Sequence, residues 1–330
     1  MYFPVAGVEA DPFLLALLGF LLGILGGFFG IGGAFVATPA LNLLGFPMPA
    51  AIGTNMAHVM GKGIMATLTH WRLRQVDLRA AFWLLLGTAP GVEAGAKLVF
   101  YLEGLGQVDS TVRWVYALTL GGIGWFMLRE YREFLRRPHR GEIPFPPLAH
   151  RFRLGPYVSL PASGISSISV WLLLLTGFGT GFLAGFLGVG GGFIRVPAMI
   201  YLLGMPAPVA VGTDLLEIVF SGAYGTVVYA LRGKVDLLAA LILVAGAVVG
   251  TQIGAYATLF ARYRLRLYLA LTILATALAV ILAEAGLERL SLAVLFLSTA
   301  LMCLAITWVL ATGMKKRRQQ LATGERRKSN

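Results

Sequence analysis

Gly26-Gly-Phe-Phe-Gly-Ile-Gly-Gly-Ala-Phe-Val-Ala-Thr-Pro39 interrupts an apolar run with glycines and then resumes it. Far along the chain, Ala184-Gly-Phe-Leu-Gly-Val-Gly-Gly-Gly-Phe-Ile-Arg-Val-Pro197 does the same. In water such an interruption reads as a loop. In a bilayer core it must be sheltered by protein or line a wet cavity, because backbone polar groups cannot face lipid unpaired. Two such breaks at matching positions in two hydrophobic halves point to a secondary transporter.

The 330 residues are 58% hydrophobic and only 13% charged, against about a quarter charged in an ordinary soluble domain. Apolar runs of about 17 to 25 residues recur, long enough to cross a bilayer. The fold class is an all-α polytopic membrane protein with about seven to nine membrane helices, in the plasma membrane (a prokaryotic inner membrane). Its first partner is the lipid bilayer. The net charge of +12 is concentrated at two places. Arg129 to Arg153 holds seven arginines against three acids, and Met314 to Asn330 holds seven Lys or Arg against one acid. Basic runs flanking membrane spans are a positive-inside signature, not a nucleic-acid footprint. Cys303 is the only cysteine, so it forms neither an internal disulfide nor a cysteine metal site. The first apolar run has no basic stretch before Phe13 and reads as retained, not as a signal peptide.

The apolar pattern predicts Phe13–Phe29 with a short Ala34–Leu44, then Ala50–His70, Leu78–Leu102 and Thr111–Leu128. The second series is Ile168–Leu187 with a short Phe193–Leu203, Val209–Leu231, Leu237–Leu259, Leu267–Glu284 and Leu290–Ala311. The chain divides into a first membrane repeat (1–128), a basic cytoplasmic linker (129–164), a second repeat (165–284), a final helix (285–313) and a basic cytoplasmic tail (314–330). Comparing each residue from Gly53 to Ala96 with the one 159 later gives 14 identities in 44 positions. They include Gly53-Thr54 with Gly212-Thr213, Val76-Asp77-Leu78 with Val235-Asp236-Leu237, and Gly87, Gly91 and Gly95 with Gly246, Gly250 and Gly254. This is an internal duplication. With linker and tail both in the cytoplasm, charge bias favours inverted-topology repeats, each with a glycine-rich broken or re-entrant helix, and leaves Arg232 and Lys234 outside. The glycine stripes read as packing faces.

A Pro-rich turn and a Gly-Thr pair follow each break: Gly45-Phe-Pro-Met-Pro-Ala-Ala-Ile-Gly-Thr-Asn55 and Gly204-Met-Pro-Ala-Pro-Val-Ala-Val-Gly-Thr-Asp214. Free N–H groups and the helix dipole at such ends suit a small anion. The candidate substrate-binding residues are therefore Gly32, Gly33, Gly53, Thr54 and Asn55, with Gly190, Gly191, Gly212 and Thr213. The two Gly-Thr stretches are expected to converge near the midplane.

The stretches Gly30–Pro39 and Gly188–Pro197, each followed by L-G-x-P-x-P-x-A-x-G-T, resemble the TauE/SafE sulfite exporter family of anion permeases. The resemblance runs from about Phe13 to Ala311. It implies a permease of two homologous halves that moves sulfur-containing anions such as sulfite or an organosulfonate.

Asn55, His58 and Lys62 share one helical face, as do their counterparts Asp214, Glu217 and Ser221. Ionisable groups at this depth face a cavity or one another. In the functional reading, His58 and Lys62 attract the anion while Asp214 and Glu217 carry a coupled proton. The alternative is a Lys62–Glu217 or Lys62–Asp214 pair that holds the halves together. Arg195, where the first half has Ala37, either meets substrate or reaches for the interface. Glu93 and Lys97, four apart, satisfy each other.

An enzyme is not expected. Histidines are too few for haem ligation, metal-binding clusters are missing, and neither break continues as a phosphate loop. The sequence calls for no cofactor or metal, and its partner is a small anionic solute, with proton or cation coupling possible. The second-ranked transport reading is a proton- or cation-coupled permease for a carboxylate or other non-sulfur solute.

Overall fold

A computed structural model describes residues 1–30, 33–72, 74–136, 154–258 and 265–328. The chain opens with a hairpin of β1 (Tyr2–Phe3) and β2 (Val8–Glu9), followed by α1 (Pro12–Phe29) and the short α2 (Ala34–Leu43). Three long helices complete the first half: α3 (Met48–Arg72), α4 (Leu78–Gly104) and α5 (Val108–Arg136). A second hairpin, β3 (Tyr157–Leu160) and β4 (Ile165–Ser169), leads into α6 (Val170–Leu187). The short α7 (Gly192–Ala198) passes into a π-helical turn at Met199–Leu203. Then come α8 (Ala207–Ala230), α9 (Leu237–Thr258), α10 (Leu265–Glu284) and α11 (Glu288–Lys328). The protein is an all-α polytopic membrane protein. Among the described residues, six helices (α1, α6, α8, α9, α10 and α11) are long and apolar enough to cross a bilayer.

Both breaks use left-handed glycines. Gly30 ends α1 at φ 71° and Gly33 starts α2 at φ 58°, while Gly188 ends α6 at φ 74° and Gly191 starts α7 at φ 85°. Side chains rarely adopt this conformation, so glycine is needed for the chain to reverse within a few residues. Gly33 lies back against Leu22 and Gly26 of α1. Past α2, Gly45 touches Val8 and the Phe46 ring is 5.8 Å from that of Phe3. The α1–α2 unit thus ends beside the hairpin that precedes it. The second unit behaves alike: Met199, Leu203 and Met205 share an apolar cluster with Leu160 and Ile168 of the β3–β4 hairpin.

The helices pair across the halves. Gly19, Gly23 and Gly27 of α1 abut the backbone at Leu243, Ala247 and Thr251 of α9, and Gly246, Gly250 and Gly254 abut Ala16, Phe20 and Ile24 in return. In the same way Gly177, Gly181 and Gly185 of α6 meet Leu84, Thr88 and Val92 of α4, while Gly87, Gly91 and Gly95 meet Leu174, Phe178 and Phe182. A Cβ at any of these twelve glycines would lie well inside 3.0 Å of a backbone oxygen. Residue numbers rise together in both pairs, so each pair runs parallel. The glycine stripes are packing faces, and they come from four helices rather than two.

Loop contacts define two ends of the bundle. At the first face, Lys234 after α8 pairs with Glu103 of α4, Arg232 sits over the Phe100 ring, and Arg113 of α5 lies 3.8 Å from Glu284 of α10. At the second face, Asp77 caps α4 through Oδ1 while its Oδ2 accepts from the Ser163 N–H (3.0 Å) and hydroxyl (2.8 Å). Arg79 donates to the Ser159 hydroxyl at 2.9 Å. The hairpin at 157–169 was not predicted, because a 13-residue polar segment after a basic run reads as linker. It also shows how far the duplication extends. Phe3-Pro4-Val5-Ala6-Gly7-Val8 matches Leu160-Pro161-Ala162-Ser163-Gly164-Ile165, with Gly7 at φ 68° and Gly164 at φ 69°.

Two outcomes are expected. Gly91→Leu or Gly250→Leu should force the parallel pairs apart and lower the monodisperse fraction on size-exclusion chromatography, without changing selectivity in the protein that survives. Ser163→Ala should remove one of the two hydrogen bonds to Asp77 Oδ2, leaving the backbone N–H bond, and destabilise by about 0.5–1.5 kcal/mol, read as a lower thermal unfolding midpoint in detergent.

Candidate functional site

A helix broken inside a membrane leaves its last carbonyls without intrahelical donors. At the end of α6 three side chains supply them. The Tyr229 hydroxyl donates to the Gly185 carbonyl and the Tyr116 hydroxyl to that of Leu187, each at 2.7 Å. Asn55 Nδ2 reaches the Gly188 carbonyl at 2.7 Å. The same Nδ2 lies 2.9 Å from the Ala34 carbonyl and 3.0 Å from the Thr38 hydroxyl, so Asn55 connects the start of α2 to the second break. The Phe35 and Phe193 rings, 5.8 Å apart, join the starts of α2 and α7.

Next to this junction is a fully buried charge cluster. Arg195 of α7 places Nη1 3.2 Å from Asp214 Oδ1 and 3.9 Å from Glu217 Oε2, all three side chains being 0% exposed. Its Nε donates to the Thr180 hydroxyl of α6 at 3.3 Å. The Thr88 hydroxyl of α4 donates to Glu217 Oε2 at 3.2 Å and lies 3.3 Å from the Gly177 carbonyl. Thr88 is ten residues into α4 and Glu217 ten residues into α8, about 15 Å along each axis from the second face. Gly191 leaves space for the guanidinium, since a Cβ there would fall 2.7 Å from Arg195 Nη2. Among the described residues, Arg195 Nη2, Asp214 Oδ2 and Glu217 Oε1 are buried with no hydrogen-bond partner. A cluster of one cation and two acids, each with a polar atom to spare, can hold and exchange a small charged species.

On α3, His58 Nδ1 is 3.1 Å from Asn55 Oδ1. Asn55 Nδ2 faces only acceptors, so Oδ1 is the amide oxygen and Nδ1 donates to it. The buried Nε2 has no partner among the described residues. Lys62, one turn on, is 8% exposed. Ser221 donates to the Gly190 carbonyl at 3.4 Å, which brings the middle of α8 against the second break, and Gly190 also packs on Val59 of α3.

The Gly-Thr pairs are placed otherwise than expected. They do not converge at the midplane. Gly53 packs on the Lys234 carbonyl and the Thr54 hydroxyl accepts from the Asp236 N–H at 3.0 Å, near the first face. Gly212 packs on the Gln75 carbonyl and the Thr213 hydroxyl accepts from the Asp77 N–H at 3.0 Å, near the second. Each pair docks on the turn before a helix of the other half, which carries it toward its own end of the bundle. Gly33 is at the first break, Gly190 and Gly191 at the second, and Gly32 lies outside the described residues. The ion pair at the centre is Arg195 with Asp214 and Glu217. Glu93 and Lys97 do pair, at 3.3 Å.

Thr88, Thr180, Tyr116 and Tyr229 were missed. A signal was available for two of them: Thr88 and Thr180 stand where the other half has Ala247 and Leu22, so a hydroxyl replaces an apolar residue on a packing face. Arg195→Met should leave two buried acids uncompensated and destabilise by about 3–5 kcal/mol. Thermal unfolding would show it, and adding Asp214→Asn and Glu217→Gln should restore most of the loss.

The sulfite exporter TauE/SafE family model matches residues 15–281. YunE of Bacillus subtilis (strain 168), named a probable membrane transporter protein, is 29% identical over 205 residues, covering 62% of this chain and 70% of YunE. YjnA of the same organism, named likewise, is 26% identical over 226 residues, 68% of this chain and 81% of YjnA. A probable membrane transporter protein of Xylella fastidiosa (strain 9a5c) is 28% identical over 232 residues, 69% and 78% of the two chains. No solved structure matches. The broken helices, the buried polar junction between them and these similarities agree: the chain belongs to the sulfite exporter TauE/SafE family, and it is a multi-pass plasma-membrane transporter, not an enzyme.

Proposed function

We propose that this membrane permease moves small anions, sulfur-containing ones such as sulfite or an organosulfonate, by alternating access between two inverted repeats. The observation that carries the reading is Arg195: a fully buried guanidinium beside a glycine break, with Nη2 unpartnered among the described residues. Buried cations inside membrane segments mark solute pathways, and the fork of a guanidinium matches sulfonate and sulfite oxygens as it matches carboxylate and phosphate. The family and its name favour sulfur oxyanions over other anions. Lys62 and His58 are assigned the attraction of the anion along α3, with Asn55 and the break glycines Gly33, Gly190 and Gly191 framing its path. Gly53, Thr54, Gly212 and Thr213 close the two ends of that path.

Inversion is supported by the directions of the helices. The parallel pairs join α1 to α9 and α6 to α4, which are each other's counterparts. The α1–α2 unit ends at the first face, where Asn42 Oδ1 accepts from Arg113 at 2.9 Å, and the α6–α7 unit ends beside the second hairpin, which is tied to Asp77. On this reading α3, α4, α5, α8, α9, α10 and α11 make seven crossings, and the two broken units are re-entrant. The second face takes the end of α5 and the end of α11, hence the linker and the tail, and is cytoplasmic by the positive-inside rule. Arg232 and Lys234 then lie outside, but each has its partner there, Phe100 and Glu103.

Asp214 and Glu217 favour a second reading, a proton- or cation-coupled permease for a carboxylate. A thermal-shift screen with sulfite, thiosulfate, sulfoacetate, taurine, sulfate and small carboxylates separates the two, because a ligand of the folded state raises its unfolding midpoint. Stabilisation by sulfur anions is expected; stabilisation by carboxylates alone would replace the first reading with the second. Lys62→Met should weaken anion binding at least about tenfold, one charge-assisted hydrogen bond's worth, measured on the folded fraction. Unchanged affinity would remove Lys62 from the path. Labelling of single cysteines placed at 145 and 320 should report both segments on the cytoplasmic side.

A further inference from the structure

We propose that the anion and a proton enter the site together because the anion takes the place of a carboxylate on Arg195. This deepens the permease reading and rests on it. One guanidinium faces two acids, and all three are at 0% exposure. Both acids cannot be ionised at once against a single positive charge without leaving excess negative charge buried, which is strongly unfavourable. The cluster therefore holds one proton at rest. Asp214, at 3.2 Å, is the ion-pair partner, and Glu217, at 3.9 Å and hydrogen-bonded to Thr88, is the protonated acid.

An incoming monoanion competes for the same guanidinium. When it binds Arg195, Asp214 loses its counter-charge and is restored to neutrality by taking up one proton. Before binding the cluster holds Arg195 positive, Asp214 negative and Glu217 neutral. Afterwards it holds Arg195 with the anion, and two neutral acids. The only bond formed is an O–H on Asp214, and the site is neutral in both states. One proton moves with each anion.

The other groups around the cluster fit this assignment. Thr180 on α6 and Thr88 on α4 are hydroxyls that do not titrate in this range. The unpartnered oxygens, Asp214 Oδ2 and Glu217 Oε1, are the positions available for protons. Gly191 keeps a side chain from the space that Arg195 Nη2 fills, so the guanidinium can shift from carboxylate to anion without a steric barrier at that side. On α3, which packs along α8, the titratable and charged groups are His58, Lys62, His70 (2.9 Å from Gln75 Oε1) and Arg72, and His58 is the rival proton carrier. The first half has no equivalent cluster: the counterparts of Thr180, Arg195, Asp214 and Glu217 are Leu22, Ala37, Asn55 and His58. The ionisable groups of the exchange point thus come from one repeat, with Thr88 of the other beside Glu217.

The test uses the full chain in proteoliposomes loaded with a pH-sensitive dye, and sulfonates as probes because they stay ionised at neutral pH. Sulfoacetate, taurine and methanesulfonate are supplied outside, with protein-free vesicles as the control. Sulfonate uptake with internal acidification at one proton per sulfonate group carried is expected. Apparent affinity should rise about tenfold for each unit fall in pH, the signature of one linked proton. The Asp214→Asn/Glu217→Gln double variant should transport without acidification and lose the pH dependence, while the uptake that His58→Gln retains, even if weaker, should keep the one-to-one proton ratio. Uptake without acidification in the unaltered protein overturns the exchange but leaves the permease reading standing. Uptake without acidification in His58→Gln overturns the assignment to Asp214 and Glu217. Absence of uptake for sulfonates, sulfite and thiosulfate alike removes the permease reading, and the exchange with it. If the double variant does not fold, the proton-to-anion ratio of the unaltered protein decides, and a ratio of zero is the overturning result.

Discussion

A carbonyl with no donor cannot be left facing hydrocarbon, and this architecture is organised around meeting that requirement twice. Each glycine break frees carbonyls deep in the protein. At the second break the donors come from three helices, through Tyr229, Tyr116 and Asn55. Those helices, α8, α5 and α3, must therefore lie close to α6, and the glycines on α4 and α6 seat α4 against the same helix. Close helix packing and broken helices are one design here. Without the small-residue faces the breaks would be exposed, and without the breaks there would be no backbone to shelter.

Polar side chains then divide the labour between the halves. In the first half Asn55 is neutral and acts as a connector, and its neighbour His58 is oriented by it. In the second half the equivalent positions carry acids, and an arginine has been added opposite them. The two halves, similar in sequence, thus differ in content, and the charge is concentrated on one side of the junction. Burying three ionised groups without that pairing would cost more than a domain's whole stability margin of about 5–15 kcal/mol.

Much of this was legible from residue patterns. Glycines at fixed spacing announced both the breaks and the packing faces, and apolar run lengths located the long helices to within a few residues, since both signals are local. Arg195 was a candidate, but its partners were not identifiable. Asp214 lies 19 residues away and Thr180 lies 15 away, and pairing at such separations depends on how α6, α7 and α8 fold back on one another. The Gly-Thr pairs were misplaced for a related reason. Their partners are turns in the opposite half, and nothing in a local motif says which turn it meets. The β3–β4 hairpin escaped notice because short polar strands have no hydrophobic alternation to show.

The exchange of partners between halves also constrains how the protein is made. The glycine face of α1 finds its complement only in α9, more than two hundred residues later. At about 5–20 residues per second, Gly19 waits on the order of tens of seconds before Leu243 has been synthesised. For that interval a glycine-lined helix followed by a break must be tolerated in the membrane, or held by the insertion machinery, without its final neighbour. Neither half is a folding unit in its own right. A chain truncated between α8 and α9 would strand α1 with an unmatched surface, and quality control would meet that surface first.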